Sequence, residues 1–428
     1  MTTIKNILKS FAASLLGFFA YAIIRRYRPK VVMVSGSVGK TSTKEAVAAA
    51  LAPRFFVRKS EKNFNTEFGV PYAIFGVKKD PGRNPLAWAG IVKSVLALLL
   101  LPNHFPNLLV LEVGAEGPGD LARILRIVTP DAVVITRLPE VPVHVEAYVS
   151  PEAVREEEFS PAYALPAGAP LVVCADDPYA LEAARGTSAH VITYGVNKDA
   201  NVRVDAIDFY EEGERVAGMR AILSEDGTQE ELVVRGSIGK TQILPAAAAL
   251  ALAKAFGIPT GEALAALVAY EPPPGRSRLF SGVNRSVVID DSYNSSPAAV
   301  EEALATLAAF PRAGRRIAVL GDMLELGRYS VAEHERIGAL AGEAANLVVA
   351  VGIRARAFVF AAGEVETMQF DNADAAAAAL PALIRAGDVI LVKGSQSIRT
   401  ERIVEVLLAD PEDASHLVRQ EKKWKRKA

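Results

Sequence analysis

Cysteine is almost absent from this chain: Cys174 is the single one in 428 residues. A lone cysteine excludes an internal disulfide and fits a reducing compartment. Net charge is nearly absent too. The balance of 48 basic and 49 acidic side chains leaves −1, so no bulk attraction to nucleic acid is implied and none is expected as a partner. The apolar run Phe11–Ile24, broken only by Ser14, falls short of the roughly 20 residues that a spanning helix needs. No small-residue cleavage site follows it, which argues against a signal peptide.

Half of the residues are hydrophobic. Val/Ile/Leu runs alternate with Ala-rich helical stretches, which predicts an α/β protein with mostly parallel sheets, and the length predicts two or three domains. The most informative segment is Gly36-Ser37-Val38-Gly39-Lys40-Thr41-Ser42, between the strand-like Val31–Val34 and the helix-like Thr43–Ala50. A strand, a glycine loop and a helix in this order make a phosphate-binding loop. Its backbone N–H groups and the helix N-terminus face phosphate oxygens. Lys40 is placed for the β- and γ-phosphates of ATP and Thr41 for the accompanying Mg2+. Two residues rather than the usual four separate Gly36 from Gly39, so this is a shortened variant. A second copy, Gly236-Ser237-Ile238-Gly239-Lys240-Thr241, has the weak strand Leu232–Val234 before it and Pro245 where a helix would settle. We read it as a turn before the Ala-rich helix 246–256.

Both ends stand out. Lys5 and Lys9 precede the run 11–24, and Arg25, Arg26, Arg28 and Lys30 follow it. A helix lying in an anionic membrane surface fits this pattern, and a buried helix is the alternative. A second apolar stretch, Pro85–Leu101, holds Trp88 and one Lys93, and the chain ends Lys422-Lys423-Trp424-Lys425-Arg426-Lys427. Basic residues beside an interfacial tryptophan suit an anionic bilayer, so a cytoplasmic protein held peripherally or anchored at the inner membrane face is expected. The rival expectation is that residues 1–30 and 85–101 pack together as a helical hairpin.

Downstream of the loop comes Asn63-Phe64-Asn65-Thr66-Glu67-Phe68-Gly69-Val70-Pro71, and then the strand Leu108–Leu111 ending in Glu112. Strand C-termini line the ligand crevice of parallel sheets, so Glu112 is placed to reach the metal held by Thr41. The strand Ala132–Thr136 leads to His144 and Glu146. A histidine after a strand end is a second ligand candidate.

These segments resemble the Mur ligases, most closely the branch that adds D-alanyl-D-alanine. The resemblance runs from about residue 31 to 408. It rests on GSVGKTSTKE (36–45), NFNTEFGVP (63–71), LEVGAEGPGDL (111–121), Val143–Glu146, Asp176-Asp177-Pro178, Gly275-Arg276, IDDSYNSSP (289–297), VLGDMLELG (319–327) and LVKGSQSIRTERIVE (391–405). The resemblance implies a central ATP-binding domain over 31–281, interrupted by an insertion at about 80–106, and a Rossmann-like C-terminal domain over 282–410. An apolar segment 1–30 precedes them and a basic tail 411–428 follows. It implies that ATP phosphorylates a carboxylate of a muramoyl-peptide-like substrate and that an amino-acid or dipeptide amine displaces the phosphate. Gly36, Ser37, Gly39, Lys40, Thr41, Ser42, Arg276, Asp291 and Asn294 would bind ATP. Thr41, Glu112 and His144 would bind Mg2+. Asn65, Thr66, Lys393, Ser395 and Arg399 would bind substrate. Lys40, His144 and Glu158 would carry the chemistry.

The chain departs from that family in four places. Only 35 residues precede Gly36, where the family carries a UDP-binding domain, so UDP-sugar recognition is expected to be absent or supplied elsewhere. The stretch 85–101 lies in the insertion. The family's carbamylated lysine aligns with Glu158, or with Glu157 if the alignment shifts. Thr241-Gln242 and Pro245 replace a His-Asn pair and a later Asn, which puts adenine contacts there in doubt. The leading expectation is an ATP-dependent peptide ligase of cell-wall precursor synthesis at the membrane. The alternatives are a synthetase for another polymer such as poly-γ-glutamate, and a non-catalytic nucleotide-binding scaffold.

Overall fold

A computed structural model describes residues 2–61, 64–82 and 84–425, with residues 2–11, 422 and 423 as backbone alone. Asn63, Arg426 and Lys427 lie outside the described residues.

The strands are β1 (Lys30–Ser35), β2 (Val57–Lys59), β3 (Leu108–Glu112), β4 (Ala132–Ile135), β5 (Pro170–Cys174), β6 (His190–Gly195), β7 (Val202–Glu212), β8 (Arg215–Glu225) and β9 (Thr228–Arg235), then β10 (Arg278–Gly282), β11 (Ser286–Asp291), β12 (Arg316–Gly321), β13 (Leu347–Val351), β14 (Glu366–Phe370) and β15 (Val389–Lys393). The first nine form one sheet in the order β2-β3-β1-β4-β5-β6-β7-β8-β9. It is parallel from β2 to β7, and β7, β8 and β9 close it as an antiparallel meander. The other six form a second sheet, β10-β11-β15-β12-β13-β14, parallel except for the edge strand β10. The expected α/β class and its two sheets are thus observed, and the second sheet begins at Arg278. The central strands of both sheets are near-continuous apolar runs buried on both faces, as helix-covered parallel strands must be.

Six helices matter for the site: α1 (Thr2–Tyr27), α2 (Lys40–Leu51), α3 (Gly69–Phe75), α4 (Pro85–Leu100), α5 (Asp120–Leu125) and α6 (Pro151–Tyr163). Helix α2 packs on the helix Lys240–Ala255. Both faces are built from buried alanines, Ala46 and Ala50 against the run Ala246–Ala249, whose small side chains let two backbones approach closely.

Helix α1 is not isolated. Leu16, Ala20 and Ile23 recur at helical spacing and are buried, on the cluster that contains Ile74 of α3 and Leu98 of α4. The Arg26 guanidinium donates to the carbonyls of Leu99 and Leu101 at 2.6 and 3.3 Å, and the Tyr27 hydroxyl to that of Leu98 at 2.8 Å. These close the C-terminal turn of α4, whose last carbonyls have no partner within the helix. The apolar start and the insertion therefore pack together, as the hairpin expectation had it. Among the described residues no helix is long and apolar enough to cross a membrane.

Candidate active site

The cleft between the two sheets forms where parallel strands end. In register, Val34 of β1 lies beside Glu112 of β3 and Val134 of β4. The chain leaves β1 through Gly36 and Gly39, at φ of +115° and +91°. A Cβ on Gly36 would sit 2.4 Å from the Thr136 hydroxyl oxygen, so both the backbone angle and the space demand glycine there. Gly39 then opens α2, with Lys40 and Thr41 at its N-terminus.

The Thr41 hydroxyl donates to Glu112 Oε1 at 3.0 Å. The other Glu112 oxygen is buried without a hydrogen-bond partner, 3.6 Å from the fully buried ammonium of Lys44. Lys44 thus holds Oε2, and the Thr41 hydroxyl oxygen and Glu112 Oε1 form an oxygen pair of the kind Mg2+ takes, since this ion prefers few protein oxygens and keeps other positions for water and phosphate. Thr41 and Glu112 fit that ion as a donor set. Among the described residues no group of three or more His, Cys, Asp or Glu side chains is arranged as a metal cluster.

Glu158 reaches the loop from α6. Its carboxylate accepts from the Ser37 hydroxyl and lies 3.7 Å from Lys40 Nζ, which itself donates to the Gly36 carbonyl. Its own carbonyl accepts from Ser35 Oγ at 2.6 Å. Burial pushes the Glu158 carboxyl above its ordinary range, against the pull of Lys40 and Ser37. Glu157 turns elsewhere. Its two oxygens accept from the backbone of Gly119 and Leu121 at 3.0 and 2.9 Å, capping α5. Of the two aligned glutamates, only Glu158 lines the cleft.

His144 projects from a loop with φ of +66°, and its Nδ1 pairs at 2.9 Å with Glu325 Oε2, on a loop after β12 that is also left-handed at Glu325. That hydrogen bond holds the Glu325 carboxyl below its ordinary range. The pair joins one sheet's domain to the other. Close by, a Cβ on Gly327 would sit 2.9 Å from Glu146 Cβ. His144 is thus on the cleft but held by a carboxylate of the opposite side rather than grouped with Thr41 and Glu112.

The cleft has a volume of about 470 Å3. Of the ATP-binding candidates, Ser37, Gly39, Lys40, Thr41, Arg276 and Asn294 line it, while Gly36, Ser42 and Asp291 do not. Gly36 turns the backbone, and Ser42 is buried on α2. Arg276 lies 3.5 Å from Thr41 Oγ1 and stacks 4.2 Å over the Tyr293 ring. Asn65 and Thr66 line the cleft, Asn65 with its carbonyl accepting from Gly114 N at 3.1 Å. Ser395 also lines it, and its hydroxyl accepts from Leu324 N at 2.9 Å.

Lys393 and Arg399 are placed differently from the expectation. Asp291 and Lys393 end neighbouring parallel strands in register. Their side chains meet at 2.7 Å, Lys393 also donates to the Asn294 carbonyl at 3.0 Å, and the ammonium is buried. Lys393 is therefore a brace for the Asp291–Asn294 loop, not a wall of the cleft. Arg399 bonds Glu401 and the Trp424 carbonyl. The second glycine-lysine copy is also off the cleft. Ser237 bridges to Arg278 and Ile238 N donates to the Ser277 carbonyl at 3.0 Å, so this turn ties the two sheets together. Asp177 caps the helix Pro178–Ala184 and accepts from Leu138 N.

Asp290, beside Asp291, gives a stability prediction. It is fully buried, one oxygen accepts from Ser292 and the other has no partner, and burial raises its carboxyl to about 6. The folded chain holds this proton where the unfolded chain has lost it, so its stabilising contribution is complete below about pH 4 and is lost as pH rises through about 6. Asp290→Asn should raise stability at pH 7.5 by on the order of 2–3 kcal/mol. Urea unfolding should show the gain shrinking to nothing below about pH 4.

Sequence reasoning missed the roles of Glu325, Tyr293 and Lys44, and it read Trp424 as part of a membrane-facing tail, whereas its ring lines the cleft. Glu325, Tyr293 and Lys44 all lay inside the motifs that carry the resemblance, but the partners of the first two come from the other sheet or from the connection.

Two family descriptions match this chain: the Mur ligase middle domain over residues 92–253 and the Mur ligase glutamate ligase domain over residues 275–396. The UDP-N-acetylmuramoyl-tripeptide–D-alanyl-D-alanine ligase of Mycobacterium tuberculosis is 30% identical over 405 residues, covering 89% of this chain and 73% of that protein. The Bacillus subtilis ligase of the same name is 26% identical over 399 residues, covering 92% and 79%. The crystal structure of MurF ligase from Thermotoga maritima in complex with ADP superposes with a TM-score of 0.76 at 25% identity, covering 94% of this chain and 84% of that one.

Proposed function

Since this chain belongs to the Mur ligase family, as an ATP-dependent ligase of the MurF type, we propose that it joins D-alanyl-D-alanine to the peptide of a muramoyl precursor, and does so at a membrane surface. The observation that carries the reading is the cleft itself. Lys40, Thr41 and Glu112 stand on one wall, and Asn294, Ser395 and Glu325 on the other.

In this reading the substrate carboxylate attacks the γ-phosphorus, the bond to the β,γ-bridging oxygen breaks, and ADP leaves. The amine then attacks the acyl carbon, phosphate departs with the bonding pair, and the amine gives up a proton. Lys40 turns from the Gly36 carbonyl to the transferring phosphoryl group, whose charge needs neutralising more than covalent help. Thr41 and Glu112 would hold Mg2+, which would supply further charge neutralisation. Glu158 takes the position of the family's carbamylated lysine and keeps Lys40 and Ser37 oriented. Asn294 and Arg276 hold the nucleotide. The His144–Glu325 pair keeps the two sides closed, which excludes water from a hydrolysable acyl phosphate.

The membrane element of the reading rests on what α1 and α4 leave outside. Leu15, Phe18 and Tyr21 of α1 and Leu86, Val92, Leu96 and Leu100 of α4 are exposed, with Arg25, Arg26 and Lys93 exposed on the same two helices. Apolar side chains among cations suit an anionic headgroup layer. The occupant we commit to is an anionic bilayer.

Purified protein, ATP and D-alanyl-D-alanine, with UDP-linked or lipid-linked muramoyl tripeptide, should yield the pentapeptide and stoichiometric ADP. ATP turnover with no amide formed would end the reading. In flotation, the full chain should rise with phosphatidylglycerol vesicles, and the variant Phe18→Ser, Leu96→Ser, Leu100→Ser should stay down. A full chain that stays down and sediments as a dimer would replace the membrane by a second copy.

A further inference from the structure

The chain does not end at the second sheet. After the helix Glu401–Leu407 and the turn Pro411–His416, residues 417–425 run back across the mouth of the cleft. Leu417 and Val418 are buried. Val418 packs on Gly275, where a Cβ would come within 2.8 Å of its Cγ1, so the segment touches the residue before Arg276. Arg419 is buried and tied on three sides. It donates to the Ser292 carbonyl at 3.0 Å, to the Tyr293 carbonyl, and to Glu401 Oε2 at 2.9 Å. Buried Glu401 is shared, its other oxygen taking Arg399. Arg399 in turn donates to the Trp424 carbonyl at 3.1 Å. The Trp424 ring lies 5.5 Å from the Arg399 guanidinium and 6.0 Å from that of Arg419, and it lines the cleft with Leu324, Ser395, Gln396 and Ser397.

Buried charges are retained where partners are present, and here Arg399 and Arg419 share the Glu401 carboxylate and give their other donors to backbone carbonyls. The segment is therefore a built wall rather than a tail lying on the surface. Its Trp424 lines the cleft together with Ser395, Gln396 and Ser397, while Val418 lies against Gly275. The reading of function given above assigns Lys40, Thr41, Arg276 and Asn294 to the nucleotide and its metal, which leaves the lining at Ser395–Ser397 for the amine.

We propose that residues 417–425 form a substrate wall, with Trp424 as a specificity-determining residue for the amine. The indole and Leu324 give an apolar surface, and Ser395, Ser397 and Gln396 give hydroxyl and amide groups beside it. A short dipeptide with small side chains and a free carboxylate fits between them, and a bulky amine side chain meets the ring. Arg419 and Glu401 are positioning residues, acting on Trp424 through Arg399.

The chain has two tryptophans, Trp88 and Trp424. Trp88 is on α4, its indole N–H donating to the Gly82 carbonyl at 3.0 Å, and it does not line the cleft. Trp88→Phe thus leaves a single reporter at the proposed wall. Titrating this variant with D-alanyl-D-alanine, in the presence of ADP, Mg2+ and muramoyl tripeptide, should shift or quench its emission with saturation. Trp424→Ala should raise KM for the dipeptide about tenfold, leave KM for ATP within about twofold, and admit D-dipeptides with larger side chains. Trp424→Phe should recover most of the loss, and the melting temperature of both variants should stay near that of the parent. If the parent makes no amide with D-alanyl-D-alanine, the same titration is run with amino acids and dipeptides that stimulate ADP release. An emission response to any of them supports the wall even though the substrate reading has failed. Unchanged emission with every amine, or unchanged amine kinetics in Trp424→Ala, overturns the proposal while leaving the ligase reading intact.

Discussion

Lys40→Ala should reduce ATP turnover on the order of 10^3-fold, the scale on which enzymes lose rate when a charge facing the transferring phosphoryl group is removed. Lys240→Ala should change it less than about twofold. The two lysines sit in nearly identical strings, Gly-Ser-Val-Gly-Lys-Thr and Gly-Ser-Ile-Gly-Lys-Thr, so the pair of variants separates sequence pattern from position. Lys40 stands at the C-terminal end of a central parallel strand, 3.7 Å from a buried carboxylate and on the cleft. Lys240 follows the edge strand β9 of an antiparallel meander, and its loop is spent on bonds to Ser277 and Arg278. Steady-state ADP release from both variants, with melting temperatures alongside, is the measurement. Equal losses would show that both turns contact nucleotide and that the second is no structural tie.

The contrast shows what a sequence can and cannot carry. The local parts of a phosphate loop, a strand, two left-handed glycines and a helix start, lie within about a dozen residues. The second copy has them too, with Gly236 and Gly239 at φ of +76° and +101° and a helix that starts at Lys240 rather than at 246. Position in the sheet is therefore what separates the two. Glu112 was legible for the same kind of reason, since a buried strand ending in a carboxylate has one place to end in a parallel sheet. The α/β class followed from alternation of apolar runs with alanine-rich stretches, and the two separate sheets from the family resemblance. Lys393 was read as a substrate ligand from the family resemblance, yet the lateral register of β11 and β15 sets Asp291 beside it. Register between strands about a hundred residues apart has no local signature. Glu325 escaped notice, and Trp424 was read as a membrane contact rather than a cleft residue, for a related reason. Each is defined by a partner across the cleft or by a chain that returns to it, and single-residue spacing says nothing of either. The apolar helices α1 and α4 were legible as apolar and as possible partners, but their bonding was not, because the Arg26 and Tyr27 bonds to the end of α4 depend on where the insertion returns.

Glu158→Gln should lower kcat by about 10^2-fold or more while Glu157→Gln leaves kcat near its parent value. Both glutamates lie on α6 one residue apart, and a helix turns neighbours to different faces. Glu157 spends its carboxylate on the backbone of α5, so its loss should appear as a lower melting temperature, by the roughly 1 kcal/mol that a helix cap contributes. Glu158 faces Lys40 and Ser37 as a carboxylate already formed, and activity should therefore be independent of added bicarbonate. Its pH dependence carries an unusual pair of signs. Burial raises the Glu158 carboxyl, so protonation on acidification should cut kcat above the ordinary carboxylate range. The same raised value means that the folded chain binds this proton more readily than the unfolded one, so acidification through that window strengthens the fold through this group. Activity and this contribution to stability should thus move in opposite directions as pH falls, and Glu158→Gln should lose the acid limb of kcat. Glu158→Lys supplies the complementary test. An unprotonated lysine amine can add to carbon dioxide, forming an N–C bond and releasing a proton, which restores a carboxylate at the site. That variant should be weak alone and gain activity with bicarbonate. A bicarbonate requirement in the parent, or full activity in Glu158→Gln, would move the role to another residue.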